Sequence, residues 1–128
     1  MNKSLININV LDFSHALSGP FCSMLLAELG ANIIKIEPPD GDHFRPANGG
    51  ATFAVVNRNK RSLCVDLKQP SSSAIMERLI SKSDIVLENF TPGTMERLGY
   101  DFETLKKTKP DIIYASISGF GPTGPYKD

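Results

Sequence analysis

The sequence predicts an α/β fold, a mostly parallel sheet with helices on both faces, and three observations predict it. Apolar runs of strand length recur at 6–13, 32–37, 84–88 and 111–118, separated by stretches whose apolar residues fall at helical spacing. Glycine and proline punctuate the joins. Strands that alternate with helices in this way return to parallel neighbours and leave both faces of the sheet covered.

The first strand is expected from Ile6 to Phe13, I-N-I-N-V-L-D-F, where alternation gives way to a continuous apolar run. Ser18-Gly19-Pro20 then offers an N-cap and an early proline, and Phe21, Met24, Leu25, Leu26 and Leu29 continue at helical spacing to a stop at Gly30. Asn32 to Glu37 is a second strand, which makes a βαβ unit whose crossover should be right-handed. Proline, glycine and asparagine make 38–50 a loop. Thr52 to Val56 and Ser62 to Leu67 read as short strands around a basic bend. A helix is expected over Ser71 to Lys82, carrying Ile75, Leu79 and Ile80, and a buried strand over Asp84 to Glu88. Two short helices follow, Thr94 to Leu98 and Asp101 to Lys107, separated by Gly99 and stopped by Pro110. Asp111 to Ser118 is the last strand, and 119–128 is a loop that leads onward, so the chain reads as a fragment.

Composition narrows the function classes. One domain's worth of chain, 128 residues, can bury roughly two-thirds of its unfolded surface. Fourteen basic residues balance fourteen acidic ones, which argues against a nucleic-acid or membrane-surface partner and makes any anion site local. No apolar run approaches the roughly 20 residues that span a bilayer. The polar start Met1-Asn2-Lys3-Ser4 is unlike a secretory signal, and the two cysteines, Cys22 and Cys64, suit a reducing cytoplasm. Neither has a partner at metal-ligand spacing, so no metal is expected.

Several constellations carry less than they promise. Gly119, Gly121 and Gly124 form G-x-G-x-x-G after a strand, but Pro122 and Pro125 sit where the phosphate-binding helix would start. Asp40 and Asp42 fall short of a calcium loop and read as a solvated turn. His15 beside Ser14 lacks a nucleophile elbow and is expected to be a loop residue lining something. Asp12, ending the first strand, reads as structural. The basic bend says more: no acidic residue lies between Asp42 and Asp66, whereas Arg45, Arg58, Lys60 and Arg61 are cationic, a local charge of about +4 suited to phosphate.

Five ordered blocks then carry a resemblance: V-L-D-F-S-H-A-L-S-G-P-F at 10–21, L-G-A-N-I-I-K-I-E-P-P at 29–39, N-R-N-K-R-S-L at 57–63, E-N-F-T-P-G-T-M-E-R-L-G-Y at 88–100 and S-G-F-G-P-T-G-P-Y at 118–126. Over nearly its whole length the chain resembles the family III CoA-transferases. The resemblance implies an incomplete Rossmann-like large domain, residues 1–128 being its N-terminal, CoA-binding part, and an interlocked homodimer for the full-length protein. It implies acyl-CoA and a carboxylic acid as substrates, with His15, Ala16, Leu17 and Ser18 against the CoA and its thioester end. Val65 and Lys68 then approach the nucleotide, Asn89 and Phe90 line the channel, and Arg97 meets phosphate. Pro38 stands where formyl-CoA transferases carry an arginine, so some of that cationic role is either absent or supplied elsewhere, with Arg58 and Arg61 as the candidates. The family's aspartate nucleophile, which forms an aspartyl-CoA intermediate, is expected downstream of Asp128, so no catalytic residue is assigned and the fragment alone is expected to be inactive. Two alternatives stand beside this reading. An α-methylacyl-CoA racemase typically has E-G-Y-R-P-G where this chain has Glu88-Asn89-Phe90-Thr91-Pro92-Gly93. A non-catalytic nucleotide-binding module would reuse the fold without the chemistry.

Overall fold

The computed structural model describes residues 3–121 and 123–127; Met1, Asn2, Pro122 and Asp128, on which parts of the reading above fall, lie outside the described residues. Five strands, β1 (Asn9–Asp12), β2 (Asn32–Glu37), β3 (Arg61–Cys64), β4 (Ile85–Glu88) and β5 (Ile113–Ser116), form one sheet in the order β3-β2-β1-β4-β5. Every pairing is parallel, with Asp12 opposite Lys35 between β1 and β2 and Leu11 opposite Val86 between β1 and β4. Helix α1 (Ser18–Glu28) connects β1 to β2, and α2 (Ala51–Asn57) precedes β3. Helix α3 (Ser73–Ile80) leads to β4, and α4 (Thr94–Leu98) and α5 (Phe102–Thr108) lead to β5.

Alternate residues of β1, β2, β4 and β5 enter two separate apolar layers. Leu11, Phe13, Ile36 and Val86 pack with Met76 and Ile80 of α3, Met95 of α4 and Leu105 of α5. Val10, Ile33 and Leu87 face the other way and pack with Ala27 of α1 and with Ala31. The expected α/β sheet with helices on both faces is thus what the chain forms. Local chemistry sets the junctions: Gly99 takes φ +78° to end α4, and the Asp101 carboxylate caps α5 by accepting from Thr104 N–H at 3.1 Å.

The boundaries and one element differ from expectation. The strand expected at Thr52 to Val56 is helix α2, preceded by Gly50 at φ +88°. A short apolar run is ambiguous between the two states, and β3 already occupies the edge of β2, so the segment packs on α1 and buries only Val56. β1 starts at Asn9 because 4–7 form a turn tied to α1 through Leu5 N–H and Leu29 C=O at 3.0 Å. β3 stops at Cys64, so 65–67 lie outside it, and β5 is shorter than 111–118. The helix expected from Ser71 begins as the 3-10 turn Pro70–Ser72.

Candidate functional site

Strand order reverses between β1 and β4: from β1 the chain builds outward through β2 and β3, and then restarts on the other side with β4 and β5. In open parallel sheets the crevice at the carboxyl ends of such a pair is where ligands bind, because the two following loops diverge. Here those loops are 13–17 and 89–93.

The two loops are stitched together by one amide. Asn89 Oδ1 accepts from His15 N–H at 2.7 Å, and Asn89 Nδ2 donates to His15 C=O at 2.9 Å and to Ser18 Oγ at 3.3 Å. This clamp holds the turn in which Ala16 sits at φ +61°, a conformation that costs an alanine energy. Gly19 is required by proximity: a Cβ there would lie 2.2 Å from Ser14 Cβ. The N-cap position of α1 is Leu17 rather than Ser18, and no side chain caps it, so the helix begins without a side-chain acceptor for its first N–H groups. Glu88 fixes the other loop, accepting from Phe90 N–H at 2.7 Å and Tyr114 O–H at 3.3 Å. Burial and the adjacent carboxylate push the Tyr114 phenol up.

A cavity of about 160 Å³ opens at the switch point, lined in part by Phe13, His15, Val65, Lys68, Phe90 and Leu98. The His15 ring lies tilted against Phe90, with centroids 4.8 Å apart, and against His43 at 5.4 Å. Burial keeps His15 below its ordinary pKa, against the opposing pull of Asp42.

Beneath the crevice lies a layer of charge on the α1 side of the sheet. Asp12, fully buried, accepts from Ser14 N–H at 2.9 Å, from the Ser14 hydroxyl, from Ser23 Oγ at 2.5 Å and from Lys60 Nζ at 2.9 Å. Burial alone would raise its carboxyl; Lys60 and Lys35 hold it below the usual range. Lys35, 1% exposed, donates to Ser14 C=O at 2.6 Å and pairs with Asp42 at 2.9 Å. Glu37 receives Arg45 at 2.6 and 2.7 Å and Ser62 Oγ at 2.5 Å. Those bonds overcome burial and hold its carboxyl at about 2.

Sequence reasoning missed most of this layer. Asp42 is not a solvated turn residue: it is buried, because Lys35 crosses beneath the loop to meet it, whereas Asp40 is exposed. The basic bend is not an open cationic patch either. Arg45 is bound to Glu37, Arg58 to Glu28 at 2.8 Å, Lys60 to Asp12, and Arg61 to Asn32 Oδ1 at 2.7 Å. Arg58 and Arg61 are drawn toward the end of α1 and the start of β2, away from the crevice. Of the other residues singled out, His15, Val65, Lys68 and Phe90 share the cavity, Asn89 braces the loop 15–18, and Arg97 is exposed on α4 with one bond to Thr94 Oγ1. The glycines at 119, 121 and 124 open no helix among the described residues. His15, Asp42 and His43 bring ligand atoms within 4.8 Å of one another, wider than the roughly 3.4 Å spacing around a tetrahedral zinc, and Lys35 already claims Asp42. Among the described residues no helix is long and apolar enough to cross a membrane.

Comparison with known proteins agrees with this fold. The model of CoA-transferase family III matches residues 5–128. A formyl-CoA:oxalate CoA-transferase of Bradyrhizobium diazoefficiens is 43% identical over 135 residues, covering all of this chain and 32% of the relative. An acyl-CoA transferase of Fusarium pseudograminearum is 42% identical, covering 97% of the chain and 30% of the relative. The crystal structure of a CAIB/BAIF family protein from Brucella suis superposes with a TM-score of 0.94 at 36% identity, over 99% of this chain and 36% of that one. The chain thus spans about a third of the length of the relatives it matches.

Proposed function

The chain belongs to CoA-transferase family III, and from that premise we propose that its switch-point crevice is the coenzyme A cradle of an enzyme that moves CoA from an acyl-CoA to a carboxylic acid. One observation carries the reading: His15, Val65, Lys68 and Phe90, brought from three separate segments, line one cavity at the carboxyl ends of β1 and β4. The chemistry of the lining suits the ligand. Phe90 and Val65 offer apolar contact to the adenine and the pantetheine arm, Lys68 is an exposed cation for phosphate, and Arg97, outside the cavity lining on α4, is a second. The uncapped start of α1 adds partial positive charge where the chain enters the crevice. Ala16, Leu17 and Ser18 form the wall that Asn89 braces.

The acyl group is handled by an aspartate outside these 128 residues. Attack by that carboxylate on the thioester gives a mixed anhydride and releases the CoA thiolate. The thiolate returns to give aspartyl-CoA and the free acid, and the incoming carboxylate reverses the sequence. The working unit is a homodimer of the complete subunit in the cytoplasm, acting without a metal. Formyl-CoA and oxalate, the pair in the relatives' names, are the first donor and acceptor to assay.

Calorimetric titration of the full-length subunit with CoA tests the cradle. Arg97→Ala is expected to weaken binding by about 1 to 3 kcal/mol, the contribution of a charge-assisted phosphate contact. Unchanged affinity removes Arg97 from the site, and absence of binding to the wild type removes the cradle. The isolated 128-residue chain should not turn over; a rate equal to full length would overturn the external nucleophile.

A further inference from the structure

Two buried polar atoms lie close to each other in the crevice wall. His15 Nδ1 and Asp42 Oδ2 are closed to solvent and lie 3.8 Å apart, about an ångström beyond an ordinary hydrogen bond. Asp42 Oδ2 has the Lys35 ammonium 2.9 Å away, yet neither it nor His15 Nδ1 has an aligned hydrogen-bond partner. A bare imidazole lone pair opposed to a carboxylate in a poorly solvated site would be repulsive, so a proton belongs in the gap. Asp42 is held ionised by Lys35 against the effect of burial, which leaves the imidazole nitrogen to carry it. The remaining groups around the ring do not compete for that edge. Lys35 of β2 is committed to Ser14 C=O and Asp42, Asp12 of β1 to its serines and Lys60, and the His43 and Phe90 rings lie tilted against the imidazole.

We propose that Asp42 is a positioning residue that fixes His15 in its Nδ1–H tautomer, leaving Nε2 on the open edge of the ring as a hydrogen-bond acceptor for an N–H group of the ligand. The side chain of His15 is 22% exposed although its Nδ1 is not, so the accessible part of the ring is the remainder. The inference rests on the coenzyme A reading, in which the neutral N–H donors nearest the thiol are the two pantetheine amides. A neutral acceptor suits them, whereas an imidazolium would suit phosphate. The tautomer is set by what the other nitrogen meets, and free imidazole side chains favour the opposite, Nε2–H form.

The test is nitrogen NMR of the full-length subunit labelled in histidine, with the His15 signal assigned by its loss in His15→Gln. The expected result at neutral pH is a protonated Nδ1 and an unprotonated Nε2. Asp42→Ala should return His15 to the Nε2–H form. Should loss of Asp42 alone unfold the protein by stranding Lys35, the double substitution Asp42→Ala with Lys35→Met removes both charges and makes the same prediction. An Nε2–H signal in the wild type, or a tautomer indifferent to Asp42, overturns the proposal. Titration with CoA separates the two readings. Asp42→Ala and His15→Asn should weaken CoA about fivefold, and His15→Gln, whose amide oxygen can stand where Nε2 stood, should weaken it less. Equal affinity in all four proteins overturns the acceptor role, and no CoA binding by the wild type overturns the coenzyme reading together with that role while the tautomer result stands by itself.

Discussion

The same strands present two very different faces. On the side of α3, α4 and α5, Leu11, Phe13, Ile36 and Val86 make an unbroken apolar layer. On the side of α1, Val10 and Ile33 are apolar, but the next residues of the same alternation are Asp12, Lys35 and Glu37, all at most 2% exposed. Each face is buried, and only one is wholly apolar. The apolar layer tolerates imprecision, since its contacts are non-directional. The charged layer holds specific geometry: Lys35 binds Ser14 C=O, and Asp12 binds Ser14, so the backbone entering the crevice is anchored from below. The comparison separates two jobs, holding the sheet together and shaping the loop that leaves it.

If that division is right, breaking the charged layer should cost at least as much as breaking the apolar one. Asp12→Ala strands the 2%-exposed side chain of Lys60, for an expected loss of about 3 to 5 kcal/mol in urea denaturation. A loss under 1 kcal/mol would mean that the layer rearranges freely. Leu105→Ala cuts a side chain that is 1% exposed and should cost about 3 kcal/mol; a clearly larger loss than for Asp12→Ala would reverse the ranking. Acid sharpens the contrast, because the apolar layer does not titrate. The Glu37 carboxyl is depressed from 4.5 to about 2, so its contribution is complete above 4.5 and is lost as pH falls toward 2. That shift amounts to about 2 kcal/mol once the half-exposed position of Arg45 is discounted. Stability measured against pH should fall across that window, and Arg45→Ala should flatten the fall. The smallest effect is expected at Arg58, whose partner Glu28 is also exposed: Arg58→Ala should cost less than about 1 kcal/mol in the same denaturation.

The apolar layer was legible in the sequence and the charged one was not, for one physical reason. I-N-I-N-V-L-D-F and N-I-I-K-I-E each show which residues alternate, but alternation alone puts charges such as Lys35 and Glu37 in solvent. What buries them is distant in sequence or hidden in a loop: Lys35 meets Ser14 C=O and Asp42, and Glu37 meets Asp42 N–H, Arg45 and Ser62. Lys35 and Asp42 are seven positions apart, and Arg58 and Glu28 are thirty, so neither pairing has a local signature. Thr52 to Val56 failed for a related reason: five apolar or branched residues fit a strand or a helix until the neighbours decide. His15, Asn89 and Phe90 were reached through the block-wise resemblance to family III, which the family match over 5–128 bears out, while the roles assigned to them there remain those of the proposal. Asp42 was hidden inside a loop whose composition says turn.

The Asn89 amide also ties the crevice to the order in which the protein assembles. Its two bonds to His15 join residues 74 positions apart, and they exist only while β4 lies beside β1. Asp12 and Lys35 can anchor Ser14 within the first βαβ unit, but the loop 13–17 gains its Asn89 clamp only on long-range closure. In the native state the same dependence runs backward: separation of β4 from β1 releases His15 N–H to solvent. Amide hydrogen exchange at His15 should then track exchange along β4 rather than along α1, so this one proton reports the opening of the two halves of the sheet.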